Sequence, residues 1–258
     1  MTDTLDTEIA TVHFNPCRYH RLRETYYEWL PTLGPLAKHV VCLELVFDDD
    51  EPEIEGSTVI RGTRDRNLMW QKEPLLNILL RRCTKTHFAF IDHDVYFQSP
   101  TWLHDAIARM SDEIHAVQLF REFHRLDYCG RIIQTQRSAV NSKNNMGCPG
   151  AAWVAKTEFL RSVGGFPTHR IVGGGDRDML DRIRDRSVAS KTDGYHINHG
   201  LKVHRQHDTR WVEVEKHSFD YDKDVRINAD GILEFTGNNR PLQKYVREFF
   251  EGRREDAR

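Results

Sequence analysis

Short apolar segments rich in β-branched residues alternate, in the first half of the chain, with longer segments in which apolar residues recur every three or four positions. The short segments have the length of buried strands, and they cover residues 9–14, 40–47, 58–60, 88–91 and 116–120. The longer segments have helical spacing, and they cover residues 19–33, 71–85 and 100–110. Strands that alternate with helices predict an α/β domain built on a central sheet.

The second half of the chain has a different pattern, because glycines interrupt it repeatedly. We expect short helices at residues 157–163 and 178–186, separated by loops of the kind that carry binding sites. An amphipathic pattern over residues 240–252 predicts a C-terminal helix. No internal repeat or linker divides the 258 residues, so the chain length indicates a single domain.

Composition narrows the class of protein. Hydrophobic residues make up 39 % and charged residues 29 % of the chain, which fits a folded, soluble protein. No apolar run reaches the ~18–20 residues of a membrane span, and the acidic N-terminal segment is unlike a signal peptide. The five cysteines are scattered and contain no Cys-x-x-Cys pair. We therefore expect a cytoplasmic protein with reduced thiols and no membrane contact.

Charge is balanced overall and uneven locally. The net charge of −2 gives no global attraction to nucleic acid. Residues 121–143 nevertheless carry five basic and two acidic side chains, whereas the charged residues of the stretch 48–55 are all acidic. We interpret the acidic stretch as a solvated loop.

Two carboxylates follow directly after one apolar strand. The sequence FAFIDHD over residues 88–94 places Asp92 and Asp94 just past the strand. Ligands of open α/β sheets bind beyond the carboxyl ends of the strands, so we expect these acids to face a cleft. Carboxylates this close repel unless a cation lies between them, and Mg²⁺ or Mn²⁺ with phosphate oxygens fits that role. The alternative is an Asp-rich turn that ends the strand.

Two further patterns lie in the Gly-rich half. Three glycines at 173–175 lead into Asp176 and Asp178 at a helix start. Glycines allow a ligand to approach the backbone, and an acid at this place is either a helix cap or a base held in a cleft. A histidine group follows, with spacing that suits a shared metal ion, although 14 histidines in the chain make chance clusters common. Its members are His196, His199, His204 and His207.

Two arginines near the first strand are further candidates for a binding site. Arg18 and Arg21 follow the first strand, where they either meet a diphosphate or are exposed residues of a first helical turn.

The chain contains no Walker phosphate loop, no Gly-x-Gly-x-x-Gly and no Gly-x-Ser-x-Gly sequence. These absences argue against P-loop kinases, Rossmann dehydrogenases and α/β-hydrolases.

Taken in chain order, these features resemble one family, the metal-dependent glycosyltransferases of the GT-A fold, and most closely the β-1,4-galactosyltransferase group. Residues 70–77 (WQKEPLLN) are similar to the family's Phe-Asn-Arg-Ala-Lys-Leu-Leu-Asn helix, and residues 90–95 (FIDHDV) to its Phe-x-Asp-Val-Asp-Leu metal motif. Residues 150–167 (GAAWVAKTEFLRSVGGFP) resemble its Gly-Gly-Val segment that ends in Asn-Gly-Phe-Pro. The similarity covers about residues 15–207 and looks most like the small phage-encoded and bacterial enzymes.

The resemblance implies the GT-A form of an α/β fold, with a Rossmann-like mixed central sheet flanked by helices, in a single domain of residues 1–258. Residues of about 9–120 would bind a nucleotide-sugar donor, residues of about 138–210 would bind the acceptor and catalyse, and residues 240–258 would form a C-terminal helix. The donor implied is a UDP-sugar in the first place, the cofactor is Mn²⁺ or Mg²⁺, and transfer inverts the anomeric carbon.

The resemblance also implies roles for residues at matching positions. Asp94 would be the principal metal ligand, Asp92 would touch the metal or the ribose, and His199 would complete the metal shell. Asp176 would be the base that takes the proton of the acceptor hydroxyl. The other implied or expected contacts are Arg18, Lys72, Gly174 and Gly175 for the donor, and Arg177 and Arg137 for the acceptor.

Departures from the family pattern leave the base open. Both tryptophans of the family's Gly-rich loop are missing, Arg177 stands where an acid is usual, and the loop is one residue shorter. Asp176 therefore matches either the family's base or its acceptor-binding Glu, and in the second case Asp178 is the base.

The acceptor and the class of protein also have alternatives. A 5-hydroxymethylpyrimidine in phage DNA suits the basic stretch and would require phosphate contacts and base flipping. A glycan or small hydroxyl compound is the other acceptor. Residues 134–145 are either a mobile lid or a surface loop. A catalytically silent module that binds nucleotide sugars, a nucleotidyltransferase and a metal-dependent phosphohydrolase share such an acidic site.

Overall fold

The structure is a computed structural model of the chain, and it describes residues 6–142, 147–200, 202–206 and 209–257. Lys143 of the basic stretch and His207 of the histidine group lie outside the described residues. Within the described ranges, no helix is both long enough and apolar enough to cross a membrane.

Short strands and helices alternate along the chain. The strands are β1 (Thr7–Phe14), β2 (Val40–Phe47), β3 (Thr58–Gly62), β4 (His87–Ile91), β5 (Val95–Phe97), β6 (Ala116–Gln118), β7 (Glu122–Leu126), β8 (Ile132–Arg137), β9 (Ala152–Lys156), β10 (Ser187–Ala189), β11 (Gly194–His196), β12 (Val225–Ile227) and β13 (Leu233–Phe235). The helices are α1 (His20–Trp29), α2 (Arg64–Asn67), α3 (Lys72–Arg82), α4 (Trp102–Ile107), α5 (Thr157–Ser162), α6 (Gly175–Ile183), α7 (Arg210–Lys216), α8 (Tyr221–Asp224) and α9 (Arg240–Gly252).

A mixed seven-stranded sheet lies at the centre, in the order β10-β6-β9-β4-β1-β2-β3. Strand β1 runs parallel to both β2 and β4, whereas β9 is antiparallel to its neighbours β4 and β6. The run predicted at 40–47 is β2 with the same bounds, because residues 42–47 are buried on both faces and therefore apolar at nearly every position. The central sheet of the predicted α/β domain is confirmed.

A second, four-stranded sheet in the order β5-β11-β7-β8 lies beside the first. It corrects the interpretation of residues 134–145 in part: residues 134–137 are paired with β7 in an antiparallel hairpin, and residues 143–145 lie outside the described residues. The basic stretch is neutralised in part: Arg121 lies 3.1 Å from Asp193, and Arg131 lies 2.7 Å from Asp127.

The acidic stretch at 48–55 is not simply a solvated loop. Glu53 is mostly buried, with its Oε2 atom 2.7 Å from His13 Nε2 and 2.9 Å from the Nδ2 atom of Asn15. Asp48 lies 2.8 Å from Arg64, which also pairs with Asp50. The stretch therefore covers the end of β1, where its charges hold neighbouring side chains in place.

Some predicted helices shift at their ends. The helix predicted at 19–33 is α1 followed by a 3₁₀ segment, Leu30–His39, because Pro31 and Pro35 have no N–H group to continue an α-helix. The helix predicted from residue 178 begins earlier, at Gly175. The terminal helix α9 covers residues 240–252 as its pattern predicts, and it buries Leu242, Val246, Phe249 and Phe250.

Candidate active site

The carboxyl ends of two parallel strands meet at one edge of the central sheet. Asn15 follows β1, and Asp92 and Asp94 follow the neighbouring strand β4. Beyond this edge lies a cleft of about 130 Å³ that is partly open to solvent. Apolar side chains line much of it, and charged or polar groups line the rest; the lining includes Val12, Phe14, Leu22, Trp70, Phe250, Lys72, Asp92, Asp94, His199 and Arg253.

Three potential metal ligands converge at one end of the cleft. Asp94 Oδ2 lies 2.8 Å from His199 Nε2 and 3.3 Å from His196 Nε2, and one ligand atom from each residue lies within 4.8 Å of the others. Burial disfavours the charge of Asp94, but the two imidazoles outweigh it and hold the pKa of Asp94 well below its ordinary value. Burial lowers the pKa of His196 to about 4, so this imidazole is neutral and free to ligate.

This donor set fits a divalent metal. An ionised carboxylate and two imidazole nitrogens are first-row transition-metal ligands, whereas Mg²⁺ prefers oxygen ligands alone. Within the described part of the chain, Asp94, His196 and His199 are thus the residues that could hold Mn²⁺ at the cleft. Asp92, the other expected ligand, lies next to this group with its carboxylate directed at a lysine instead.

Lys72 joins two carboxylates from distant parts of the chain. It begins α3, and its Nζ atom lies 2.7 Å from Asp92 Oδ1 and 3.0 Å from Asp176 Oδ1. Burial opposes the charge of Lys72, but the two carboxylates raise its pKa well above the ordinary value. Burial raises the pKa of Asp92 to about 7, although Lys72 acts in the opposite direction. The expected donor and base residues therefore lie together.

Glycines make the close packing around Asp176 possible. A Cβ atom at Gly150 would lie 2.3 Å from a carboxylate oxygen of Asp176, and one at Gly175 would lie 2.3 Å from Glu73 Oε1. Gly174, with φ of 106°, is in the left-handed region and packs against the indole of Trp211. The glycines expected to approach the donor thus approach side chains of the protein itself.

Glu73 is buried beside this group. Burial raises the pKa of Glu73 to about 8, and the neighbouring carboxylate of Asp176 acts in the same direction. Glu73 and Asp176 both line a second, much smaller cavity, together with apolar side chains of Leu76, Phe90 and Trp153. A protonated carboxyl there adds no second negative charge next to Asp176.

Four of the expected site residues lie apart from these groups. Asp178 accepts from Arg170 Nη2 at 2.9 Å and lies 3.0 Å from His169. Arg18 lies 3.3 Å from Glu53 and donates to the Glu51 carbonyl at 2.8 Å. Arg177 lies on α6, near the Gly147 carbonyl, and Arg137 is exposed on β8. None of the four is among the described residues that line the cleft.

Sequence reasoning missed three of the residues assembled here. His196 belonged to the predicted histidine group but was not chosen as a ligand, although its position three residues before His199 was a usable signal. Trp70 opens the LLN helix motif, and Arg253 lies 5.3 Å over its ring, at the cleft. No local pattern marked Arg253, because only the folding back of the segment after α9 brings it to the site.

Comparison with known proteins supports the fold. The sequence matches no protein-family model and no curated protein at a significant level. Among solved structures, a mycobacterial protein matches with a TM-score of 0.52 and 18% identity, over 87% of this chain and 80% of that chain. Glucosyl-3-phosphoglycerate synthase from Mycobacterium tuberculosis, in complex with Mn²⁺, UDP-glucose and phosphoglyceric acid, matches with a TM-score of 0.50 and 15% identity. This match covers 86% of this chain and 83% of that chain. The catalytic domain of Drosophila β1,4-galactosyltransferase 7, in complex with xylobiose, has a TM-score of 0.48 and 15% identity. This match covers 79% of this chain and 75% of that chain.

The first two matches cover most of both chains, and they agree with the mixed sheet described above. The chain therefore has the GT-A fold of glycosyltransferases, which confirms the predicted fold class.

Proposed function

We propose that the protein is a metal-dependent glycosyltransferase that moves a sugar from a nucleotide-sugar, with a UDP-sugar as the expected donor, to an acceptor hydroxyl. One observation carries the proposal: Asp94 and His199, two of the three potential metal ligands, line the same cleft as Lys72 and Asp92, and Lys72 also pairs with Asp176. The GT-A neighbour that binds Mn²⁺ and UDP-glucose supports this choice of cofactor and donor.

Each group has a separate task in this proposal. Asp94, His196 and His199 hold Mn²⁺, which supplies positive charge to the diphosphate that leaves. The apolar walls of the cleft, with Trp70 and Phe14, receive the flat nucleobase. Lys72 fixes the carboxylates of Asp92 and Asp176 relative to each other. Asp176 takes the proton of the acceptor hydroxyl as that oxygen attacks the anomeric carbon, which leads to inversion.

A donor panel tests the proposal. The protein is heated with UDP-, GDP- and TDP-sugars, in Mn²⁺ or in EDTA, and thermal unfolding is followed. We expect one class of donor to raise the unfolding temperature in Mn²⁺ but not in EDTA, because the metal contributes to donor binding. Asp94→Asn should abolish this shift. A donor shift of equal size in EDTA, or in the variant, would contradict a metal-dependent donor site.

The acceptor is tested in two arms, with DNA that contains 5-hydroxymethylpyrimidines in one and glycans or small hydroxyl compounds in the other. The pairing of Arg121 with Asp193 and of Arg131 with Asp127 favours the second arm, because these arginines are engaged by carboxylates. Transfer to DNA that falls steeply with salt would favour the first. The phage-like origin and the cytoplasmic location stay predictions.

A catalytically silent module that binds nucleotide sugars is the second candidate function. Arg177, which stands where the family has an acid, favours it. Such a module would give the same donor shift without any transfer. Sugar transfer or slow release of the nucleoside diphosphate would exclude it.

A further inference from the structure

The segment after α9 folds back against the candidate metal site. Glu255 is fully buried, and its Oε2 atom lies 3.0 Å from Nδ1 of His199. On the other side of the same ring, His199 Nε2 lies 2.8 Å from Asp94 Oδ2. The imidazole is therefore held between a carboxylate that belongs to the metal site and one that comes from the end of the chain.

The surroundings of Glu255 are built to receive a carboxylate. Arg253 Nε donates to Oε1 of Glu255 at 2.8 Å, and Arg205 Nη2 donates to Oε2 at 3.1 Å. Gly200, next to His199, has φ of 56°, and a Cβ atom there would lie 2.5 Å from Glu255 Oε2 and 2.9 Å from its Cα. Only glycine allows the two segments to approach this closely.

We propose that Glu255 is a positioning residue for the metal site, which keeps the proton of His199 on Nδ1 and leaves the lone pair of Nε2 for the metal. A metal-bound histidine commonly donates its other ring N–H to a carboxylate, which fixes both the tautomer and the ring orientation. This inference rests on the proposed metal-dependent function, and it adds the end of the chain to the site.

Arg205 makes the tautomer sensitive to Glu255. Its Nη2 atom lies 2.8 Å from His199 Nδ1 and 3.2 Å from Nε2, so it is nearer to Nδ1, and it is close to the same carboxylate oxygen. Without the carboxylate, this cation would face Nδ1 directly and would favour a lone pair there. The proton would then sit on Nε2, where it blocks the metal.

The tail also offers a matched control. Asp256 is exposed, and its carboxylate accepts from the backbone N–H of Arg21 at 2.7 Å. Tyr128 donates to the carbonyl of Ala257 at 2.7 Å, and the backbone N–H of Arg254 donates to the Tyr19 hydroxyl at 3.1 Å, so the segment is anchored on both sides of Glu255. Asp256→Asn removes one negative charge from the same segment without touching His199.

The test measures Mn²⁺ affinity by electron paramagnetic resonance titration of free Mn²⁺, on the full-length protein with UDP present. We expect Glu255→Gln to raise the Kd about 10- to 100-fold. Asp256→Asn should stay within about twofold, and Arg205→Gln added to Glu255→Gln should recover part of the loss, because it removes the cation from Nδ1. If Glu255 only stabilised the fold, adding the second substitution Arg205→Gln would not restore Mn²⁺ affinity.

Several outcomes would overturn the inference: an unchanged Kd for Glu255→Gln, an equal loss for Asp256→Asn, or no recovery in the double variant. Thermal unfolding in EDTA checks that the variants fold. If Glu255→Gln does not fold, Arg205→Gln alone decides, since it should bind Mn²⁺ as tightly as the wild type or more tightly, and a tenfold loss would contradict the proposed role of Glu255. Failure of the wild type to bind Mn²⁺ would instead refute the proposed function.

Discussion

Asp176 and Asp178 lie two residues apart at the start of α6, yet their side chains have different partners. Asp176 shares Lys72 with Asp92, and these two partners line the cleft, whereas Asp178 is held by Arg170 and His169. Burial opposes the charge of Asp178, but Arg170 outweighs it and lowers the pKa of Asp178. Asp176 is also paired with a cation, but its partner Lys72 lines the cleft, whereas Asp178 and its partners Arg170 and His169 do not.

We therefore predict that Asp176→Asn lowers the transfer rate about 100-fold or more, with donor affinity largely retained. Asp178→Asn should lower the rate less than about tenfold, and it should act mainly through the loss of its pairing with Arg170. Single-turnover transfer and UDP binding, measured on both variants, check this. The reverse order of effects would make Asp178 the base.

Glu73 leads to a prediction about pH. Its carboxyl is protonated in the folded protein up to a pKa of about 8, but in the unfolded chain it ionises above about its ordinary pKa of 4.5. Between these pH values the folded state binds more protons, so Glu73 makes the free energy of unfolding fall as pH rises.

Glu73→Gln should remove this dependence. We expect the variant to equal the wild type in stability at pH 4 and to exceed it by roughly 1–3 kcal/mol at pH 7. Urea unfolding at both pH values measures the difference, with Glu248→Gln on the exposed face of α9 as the control. A difference that does not grow with pH would contradict the raised pKa.

Part of the candidate site could be predicted from short patterns in the sequence. Asp92, Asp94 and Asp176 were recognisable because they follow an apolar strand or a glycine run, and Lys72 through the helix motif that contains it. Arg253 and Glu255 were not, because nothing near them in sequence indicates contact with His199 or Trp70. The role of Arg18 in donor binding stays a prediction; its pairing with Glu53 could not be predicted, since the acidic stretch comes from a separate part of the chain.

At the scale of elements, α6 and the segment before β9 depend on missing Cβ atoms. Gly150 has no unusual φ, so its requirement for glycine comes from the contact with Asp176 alone. We predict that Gly150→Ala displaces the Asp176 carboxylate, lowers the transfer rate at least about tenfold and costs about 1–3 kcal/mol of stability. Activity assays and urea unfolding measure the two effects.

Gly252→Ala at the end of α9 is the control, because no atom lies within 4 Å of the added Cβ. This variant should stay within about 0.5 kcal/mol of the wild type and keep its activity. Full activity in Gly150→Ala would show that Asp176 does not need its present position.

Strands and helices with a strong apolar pattern could be predicted from the sequence, whereas those without such a pattern could not. Strand β2 is buried along most of its length, so eight successive positions indicate it. The hairpin of β7 and β8 has polar sequences and an exposed face, and it is held by backbone pairing and by Asp127, which accepts from the N–H groups of Cys129 and Arg131 in the turn. Backbone pairing of this kind leaves no periodic signal, so the segment resembled a loop.

At the scale of the whole molecule, the proposed site joins four separate parts of the chain. The strand ends supply Asp92 and Asp94, the Gly-rich segment supplies Asp176, and the segment after β11 supplies His199, with Glu255 behind it. The order of these blocks in sequence resembles that of the GT-A glycosyltransferases, and this resemblance indicated the fold. Their distances required the structure.

The mixed donor set leads to a metal preference for the whole protein. Two imidazoles beside one carboxylate suit Mn²⁺ better than Mg²⁺. We expect transfer activity restored after EDTA treatment to be at least about tenfold higher with Mn²⁺ than with equal Mg²⁺. Equal activity with the two ions would indicate a site made of oxygen ligands.

Product analysis of the donor reaction tests the central claim most directly. The EDTA-treated protein is incubated with the UDP-sugar that stabilises it, with Mn²⁺ or without, and the products are separated by chromatography. We predict Mn²⁺-dependent release of UDP and free or transferred sugar, and its loss in Asp94→Asn. Release of UMP and sugar phosphate would instead identify a phosphohydrolase, and release of UDP that is unaffected by EDTA would contradict the metal site.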